Sequence, residues 1–235
     1  MSVAVITGAS RGLGRAVALA LAAEHWSLVV DARTPAQLAV AVAELEARGA
    51  ASVVSLDGSV ADPEHRRQIA NEVSRLGGLD LLVNNASILG PSPQPSLADY
   101  PIDVLSEVYD VNVIAPLALV QALLPVLRRN GGTVVNVTSD AGAEPYEGWG
   151  GYGSSKAALD QMSAVLAVEE QDLRIYAFDP GDMRTRMHQE AFPGEDISDR
   201  PEPETVVPAL LRLIVGHLPS GRYRATELLA DAALT

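Results

Sequence analysis

The chain has 235 residues, 48% of them hydrophobic and 20% charged, which is the composition of a folded globular protein and excludes a disordered one. Seventeen basic against 30 acidic residues give a formal net charge of −13, which excludes nucleic acid and an anionic membrane as partners for the surface as a whole. No cysteine is present, so there is no disulfide framework, thiolate metal site or cysteine nucleophile.

The first run, Val3–Thr7, is apolar and strand-like from the outset, with no basic leader or cleavage pattern before it. The expectation is a cytoplasmic protein without a signal peptide. Further runs at Leu28–Asp31, Ser52–Leu56, Leu79–Val83, Thr133–Thr138 and Arg174–Phe178 are β-branched or Leu-rich. They are apolar on both faces, as strands covered by helices on two sides are. Helical segments separate them, most clearly Gly12–Glu24 and Pro35–Arg48. This alternation predicts an α/β fold, a doubly wound parallel sheet with helices on both faces. No repeat or low-complexity linker divides the chain, so residues 1–235 are read as one domain, with Pro91–Pro95 and Phe192–Pro203 as surface loops. The stretch Val111–Leu127 is apolar nearly all round, but Asn112, Pro116, Gln121 and Pro125 interrupt it and it is short for a bilayer span. No membrane partner is expected; a helix apolar on every face needs cover on every face, either a subunit interface, the preferred reading, which makes the chain a homo-oligomer (dimer or tetramer), or the chain's own loops.

The turn Thr7-Gly8-Ala9-Ser10-Arg11-Gly12-Leu13-Gly14 joins the first strand to the first helix. Gly8 permits a tight turn, Gly12 lets a diphosphate approach the backbone, and Gly14 lets helix and strand lie close. The free N–H groups of the helix start favour an anion. Its G-x-x-x-G-x-G spacing differs from G-x-G-x-x-G, and its weight comes from following the first strand of a parallel α/β chain.

From Val3 through Thr185 the chain resembles the short-chain dehydrogenase/reductase family in its compact single-domain, Rossmann-like form. Thr7–Gly14 matches the family's T-G-x-x-x-G-x-G, and Asp57 stands where the family places an aspartate against the adenine ring. Asn84-Asn85-Ala86 matches N-N-A-G, with Ser87 replacing the usual glycine. Tyr152-Gly153-Ser154-Ser155-Lys156 matches Y-x-x-x-K, and Ser139 lies at the family's serine position, thirteen residues before Tyr152. The four-residue spacing puts Tyr152 and Lys156 one helical turn apart on one face. Lowering a phenol from a pKa of about 10 by three units requires roughly 4 kcal/mol of differential interaction, which a nearby ammonium and an oxidised nicotinamide ring would supply.

The resemblance implies reversible hydride transfer between a nicotinamide cofactor and a small-molecule carbonyl or secondary alcohol. In that reading Tyr152 is the general acid/base, Ser139 orients the substrate oxygen, and Lys156 also binds the nicotinamide ribose. Asn112 matches an asparagine that supports a water chain to the lysine. Pro180-Gly181-Asp182-Met183-Arg184-Thr185 matches P-G-x-x-x-T, with the turn passing beneath the nicotinamide and Thr185 holding its carboxamide or a phosphate. The substrate-loop region is expected at about 182–204.

An acid ending the second strand would accept from an adenosine ribose and repel a 2′-phosphate. Counted from Gly14, the discriminating position falls on Ala32, with Arg33 next and Arg11 in the glycine turn. Two guanidiniums favour a phosphate, so NADP(H) is expected. A one-residue shift would make Asp31 the ribose acceptor, and NAD(H) is therefore not excluded. Within enzymes the alternative is a 3-oxoacyl-thioester reductase, which needs a basic docking patch that the net charge disfavours. Outside them it is a non-catalytic NADP(H)-sensing protein, whose usual loss of Tyr152 or Lys156 is not seen. His25, His65, His188 and His217 have no metal-ligand spacing, and no catalytic metal is expected. His25 is placed in a turn, His65 on a solvated face, and His188 near the substrate loop, more exposed than in contact. Ile88, Leu89, Tyr146, Trp149, Met183, Met187 and Phe192 fall in loops at the carboxyl ends of strands and suggest an apolar pocket. Arg184 and Arg186 either receive an anionic group or balance nearby acids.

Overall fold

Period-two alternation sorts the side chains of each strand onto two faces, and in this protein both faces find cover. The computed structural model describes residues 2–216 and 218–232, so His217 lies outside the described residues. The order is β1 (Val3–Ile6), α1 (Gly12–Ala23), β2 (Ser27–Ala32), α2 (Pro35–Arg48), β3 (Ser52–Asp57), α3 (Pro63–Leu76), β4 (Leu81–Asn84) and α4 (Ile102–Tyr109). It continues with α5 (Ala115–Asn130), β5 (Thr133–Val137), α6 (Gly150–Glu169), β6 (Arg174–Asp179), α7 (Arg186–Ala191), α8 (Val207–Val215), β7 (Gly221–Arg224) and α9 (Ala225–Ala232).

The strands form one seven-stranded sheet in the order β3-β2-β1-β4-β5-β6-β7, every pairing parallel. In β1, Ala4 and Ile6 face a core built with α1, α2 and α8, while Val3 and Val5 face a second core built with α3 and α5. Val5 pairs with Val29 of β2 on one side and Leu82 of β4 on the other. The chain order reverses between β1 and β4, which opens a crevice beyond the carboxyl ends of those strands.

Two strands depart from the sequence expectation. The alternation of short apolar runs with helical stretches predicts six, and β7 is a seventh. Its sequence Gly-Arg-Tyr-Arg carries no apolar run, because it lies at an edge, paired only with β6. At the other edge β3 is half-exposed along its length and not apolar-covered on both faces, since only β2 flanks it. The predicted boundaries otherwise hold to within two residues, and α2 runs over Pro35–Arg48 as expected, with Gly49 closing it at φ 107°.

The apolar stretch after residue 110 belongs to a continuous helical rod, Ile102–Asn130, in which α4 and α5 join through a π-helical turn at Asp110–Ile114. By length and composition alone this 29-residue rod would cross a bilayer. Its Leu119, Leu123 and Leu127, however, are buried against the sheet in the second core. Phe178, fully buried in β6, fills the first core. Phe178→Ala is expected to lower unfolding stability by about 3–5 kcal/mol, read by urea denaturation; a loss under about 1 kcal/mol would contradict this packing.

Candidate active site

The crevice is a cleft of about 890 Å³ that runs from Arg33 and Gly58, past the glycine turn, to Tyr152 and Met187. Its floor is the turn after β1. Gly12 adopts φ 56°, a left-handed conformation that glycine permits, and a Cβ there would come into van der Waals contact with Thr185 Cγ2 at 3.7 Å. Gly14 serves close approach: a Cβ there would stand 2.6 Å from the Gly8 carbonyl oxygen. No side chain caps α1, so its first N–H groups are available to an anion in the cleft. Asn85 braces the turn, donating from Nδ2 to the Thr7 carbonyl at 2.9 Å, while Thr7 Oγ1 accepts from the Asn85 and Ala86 N–H groups at 3.0 Å each.

Gly8, Ser10, Arg11, Gly12, Leu13 and Arg33 all line the cleft, as do Ala86, Pro180, Gly181 and Thr185 farther along. Arg11 and Arg33 are exposed and make no hydrogen bond or ion pair among the described residues. Burial holds the Arg11 guanidinium below its ordinary range; Arg186 and Arg33 lower it further, against an opposing effect of Glu190. Arg186 is paired with Glu190 at 2.7 Å, which leaves Arg11 and Arg33 as two unpaired like charges at one opening, a setting that an anion relieves.

Asp31 is committed elsewhere. Its Oδ1 accepts from the Gly8 N–H at 2.7 Å, and its Oδ2 lies 3.0 Å from His65 Nε2, with both side chains only 3% exposed. His65 is therefore not on a solvated face. It lies on the inner side of α3, one and two turns before the buried Ile69 and Val73. That i, i+4, i+8 stripe was available in the sequence as a signal of burial. His188 is also less exposed than expected, with a 9% exposed side chain tilted on Phe192 at 4.9 Å. His25 does sit in a turn, against the Gly49 carbonyl oxygen at 2.7 Å.

Tyr152, Lys156 and Ser139 converge on the far wall. Lys156 is the only lysine in the sequence, is buried, and donates from Nζ to the Val137 carbonyl at 2.8 Å. Its Nζ stands 5.4 Å from the Tyr152 ring centroid. Burial lowers the Lys156 pKa to about 8, with Asp160 acting in the opposite sense. Burial pushes the Tyr152 phenol well above its ordinary value; Asp179 and Asp140 add to this, while hydrogen bonding with Ser87 and Ser139 pulls it down. Ser139 lies two residues beyond β5, donates to Asp140 Oδ1 at 2.9 Å and accepts from the Ala141 N–H at 3.2 Å.

Four predicted site residues stand back from the cleft. Gly14 acts behind the turn. Asp57 is exposed at the end of β3, and its neighbour Gly58 lines the cleft instead. Asn84 points into the sheet, donating to Asn136 Oδ1 at 2.7 Å, and Asn136 in turn donates to Ser163 at 2.8 Å. Asn112, fully buried in the π-helical turn, accepts from Ser87 Oγ and the Ile88 N–H and donates to the Ile88 carbonyl and Ser155 Oγ, all at 2.9–3.0 Å. Its side chain thus fixes the Ser87–Ile88 segment beside Tyr152 and makes no bond to Lys156. Ser87, at the position where glycine is usual, uses its hydroxyl for that contact.

The parallel order, the switch-point cleft and the phosphate-type turn define a doubly wound α/β protein of Rossmann type. Residues 2–196 match the family described as short chain dehydrogenase. Dehydrogenase/reductase SDR family member 4 of Bos taurus is 37% identical over 191 residues, 78% of this chain and 66% of the relative, so the chain spans just under two thirds of that relative's length. The uncharacterized oxidoreductase YciK of Escherichia coli is 33% identical over 215 residues, 89% of this chain and 84% of the relative. An alcohol dehydrogenase from the archaeon Thermococcus sibiricus, solved in complex with 5-hydroxy-NADP, superposes with a TM-score of 0.86 at 28% identity over 95% of each chain. The chain belongs to the short-chain dehydrogenase/reductase family of oxidoreductases.

Gly14→Ala is expected to destabilise the protein by about 1–3 kcal/mol in thermal or urea unfolding without cofactor, because the new methyl meets the Gly8 backbone as well as the Asn85 amide that braces the turn. Wild-type stability in that variant would contradict the close contact at the turn.

Proposed function

We propose that the protein is an NADP(H)-dependent carbonyl reductase or secondary-alcohol dehydrogenase, a single catalytic domain with Tyr152 as the general acid/base. The observation that carries this reading is the buried Lys156 ammonium beside the Tyr152 ring on the wall of a cleft whose other end holds unpaired guanidiniums. NADP(H), when bound, supplies or accepts the hydride. Arg11 and Arg33 fit its 2′-phosphate, the start of α1 its diphosphate, and Lys156 and Thr185 its nicotinamide end. Asp31 is less suited as a ribose acceptor, because its side chain is only 3% exposed and Gly8 and His65 already engage both its oxygens. The complex of the Thermococcus sibiricus relative with 5-hydroxy-NADP supports the same cofactor.

In the reductive direction Tyr152 donates its proton to the substrate oxygen, and Ser139 turns its hydroxyl from Asp140 to that oxygen. The charge left on the phenolate is stabilised by Lys156. Leu89, Trp149 and Met187 pack around Tyr152, and Trp149 meets Phe192 at 5.9 Å, which fits an apolar carbonyl substrate. The exposed Ile102 and Ile114 on the helical rod, with Val165 and Val168 on α6, support assembly into a dimer or tetramer.

Three kinetic results are expected. Tyr152→Phe lowers kcat by about 10²–10⁴-fold while NADPH binding, read by fluorescence, persists. Wild type prefers NADPH to NADH, and Arg33→Ala lowers kcat/KM for NADPH by about tenfold or more with little effect on NADH. A wild-type preference for NADH would sink the cofactor assignment. Because burial raises the Tyr152 pKa, the phenol is protonated through neutral pH. Carbonyl reduction should therefore hold level there, while alcohol oxidation, which needs the phenolate, should climb with pH. Oxidation independent of pH would contradict the tyrosine's role.

A further inference from the structure

Beyond the groups in the cleft, one side chain outside it contacts all three elements on which the proposed site is built. We propose that Arg222 is a positioning residue that ties α6, β6 and the turn after β5 together at the site and neutralises the carboxylates Asp160 and Asp179 behind Lys156 and Tyr152. This rests on the reading of those two residues given above.

Arg222 and Arg224 share one face of the edge strand β7, while Tyr223 on the other face packs edge-on against Tyr176 at 5.8 Å. The Arg222 guanidinium is forked. Nε donates to Asp160 Oδ2 at 3.0 Å, and Nη2 donates to Asp179 Oδ2 at 3.0 Å and to the Ser139 carbonyl at 3.1 Å. Asp160 lies on α6 one turn beyond Lys156. Asp179 ends β6, where its Oδ1 accepts from the Gly181 N–H at 3.0 Å and so forms the Pro180–Gly181 turn. The carbonyl that Arg222 holds belongs to Ser139, whose hydroxyl, bonded here to Asp140, is the one proposed to turn to the substrate oxygen.

Ion pairs between exposed side chains count for little. These carboxylates are not exposed: the Asp179 side chain is 4% accessible and that of Asp160 18%. The charges facing the site come from every element around it. They are Asp160 from α6, Asp179 from β6, Arg222 and Arg224 from β7, and Asp140 from the turn after β5. Asp140 is held separately, by the Ala141 N–H at 2.8 Å and the Tyr146 hydroxyl at 3.1 Å. Arg224 reaches Asp179 only at 3.8 Å. Among the described residues Arg222 is the only cation that meets both Asp160 and Asp179. Without it Asp160 has no cation beside it and Asp179 keeps only Arg224 at 3.8 Å, so more negative charge faces the ammonium and the phenol and both hold their protons to higher pH.

The single lysine makes the test direct. In protein isotopically labelled at the lysine ε-carbon, one resonance reports the Lys156 titration. In Arg222→Gln its midpoint is expected to rise by about one unit, and the rise of alcohol oxidation with pH should move with it. Adding Asp160→Asn to that variant should bring the lysine midpoint back down. Arg222→Lys keeps a charge but loses the fork, so its pH–rate profile should stay that of wild type while kcat falls several-fold at unchanged NADPH affinity. An unmoved lysine midpoint in folded Arg222→Gln overturns the proposal. Should that variant not fold, Arg222→Lys with wild-type kcat overturns it. If wild type turns over no carbonyl, the proposed function fails, while the lysine titration still judges the Arg222 assignment.

Discussion

A lysine ammonium buried beside a phenol is the constraint around which the rest is arranged. Lys156 has three N–H donors, and among the described residues one of them is met, by the Val137 carbonyl. An amine buried to that degree is expensive to keep charged, which is why its pKa falls to about 8. The incomplete hydrogen bonding makes functional sense if the remaining donors face a ligand and the phenol. The same burial raises the Tyr152 pKa, the opposite of the lowering expected from the sequence, so without cofactor the phenol holds its proton. Perturbed groups paired in a cleft are where proton transfer is expected.

The fold supplies this pair with its surroundings by simple means. The reversal of chain order between β1 and β4 opens the crevice, and Thr7 and Asn85 join the two loops that border it. On the side of the lysine, the π-helical turn places Asn112 where its amide can hold Ser87 and Ile88. The turn inserts extra backbone into a helix that would otherwise run straight from α4 into α5, and such turns recur at functional sites. The site thus rests on side-chain amides spanning separate loops, each satisfied by its neighbours. Rigidity of that kind keeps donors aimed at a ligand without reorganisation.

Much of this was legible in the sequence, and the rest was hidden for identifiable reasons. The apolar runs locate six strands because buried parallel strands need apolar residues on both faces. The edge strand β7 needs none, and so escapes the same criterion. The motifs place Tyr152, Lys156, Ser139 and the glycine turn, since local spacing fixes their geometry. Contacts across long separations are another matter. The Asp31–His65 pair spans 34 residues and the Arg222–Asp160 pair 62, and neither leaves a pattern in the chain. Asn84 and Asn85 are adjacent in sequence, yet β-strand alternation turns one into the sheet and the other to the glycine turn. His65 was legible in principle, as part of the stripe with Ile69 and Val73, but its charged neighbours Glu64, Arg66 and Arg67 mask it.

The most direct check on the whole account is the titration of Lys156 in the wild-type protein, followed through its side-chain carbon resonance, which no other lysine overlaps. A midpoint near 8, well below the ordinary 10.5, is the predicted result. An amine that titrates at its ordinary value would mean that it is solvated and not held beside Tyr152, and the proton-transfer site described here would not exist.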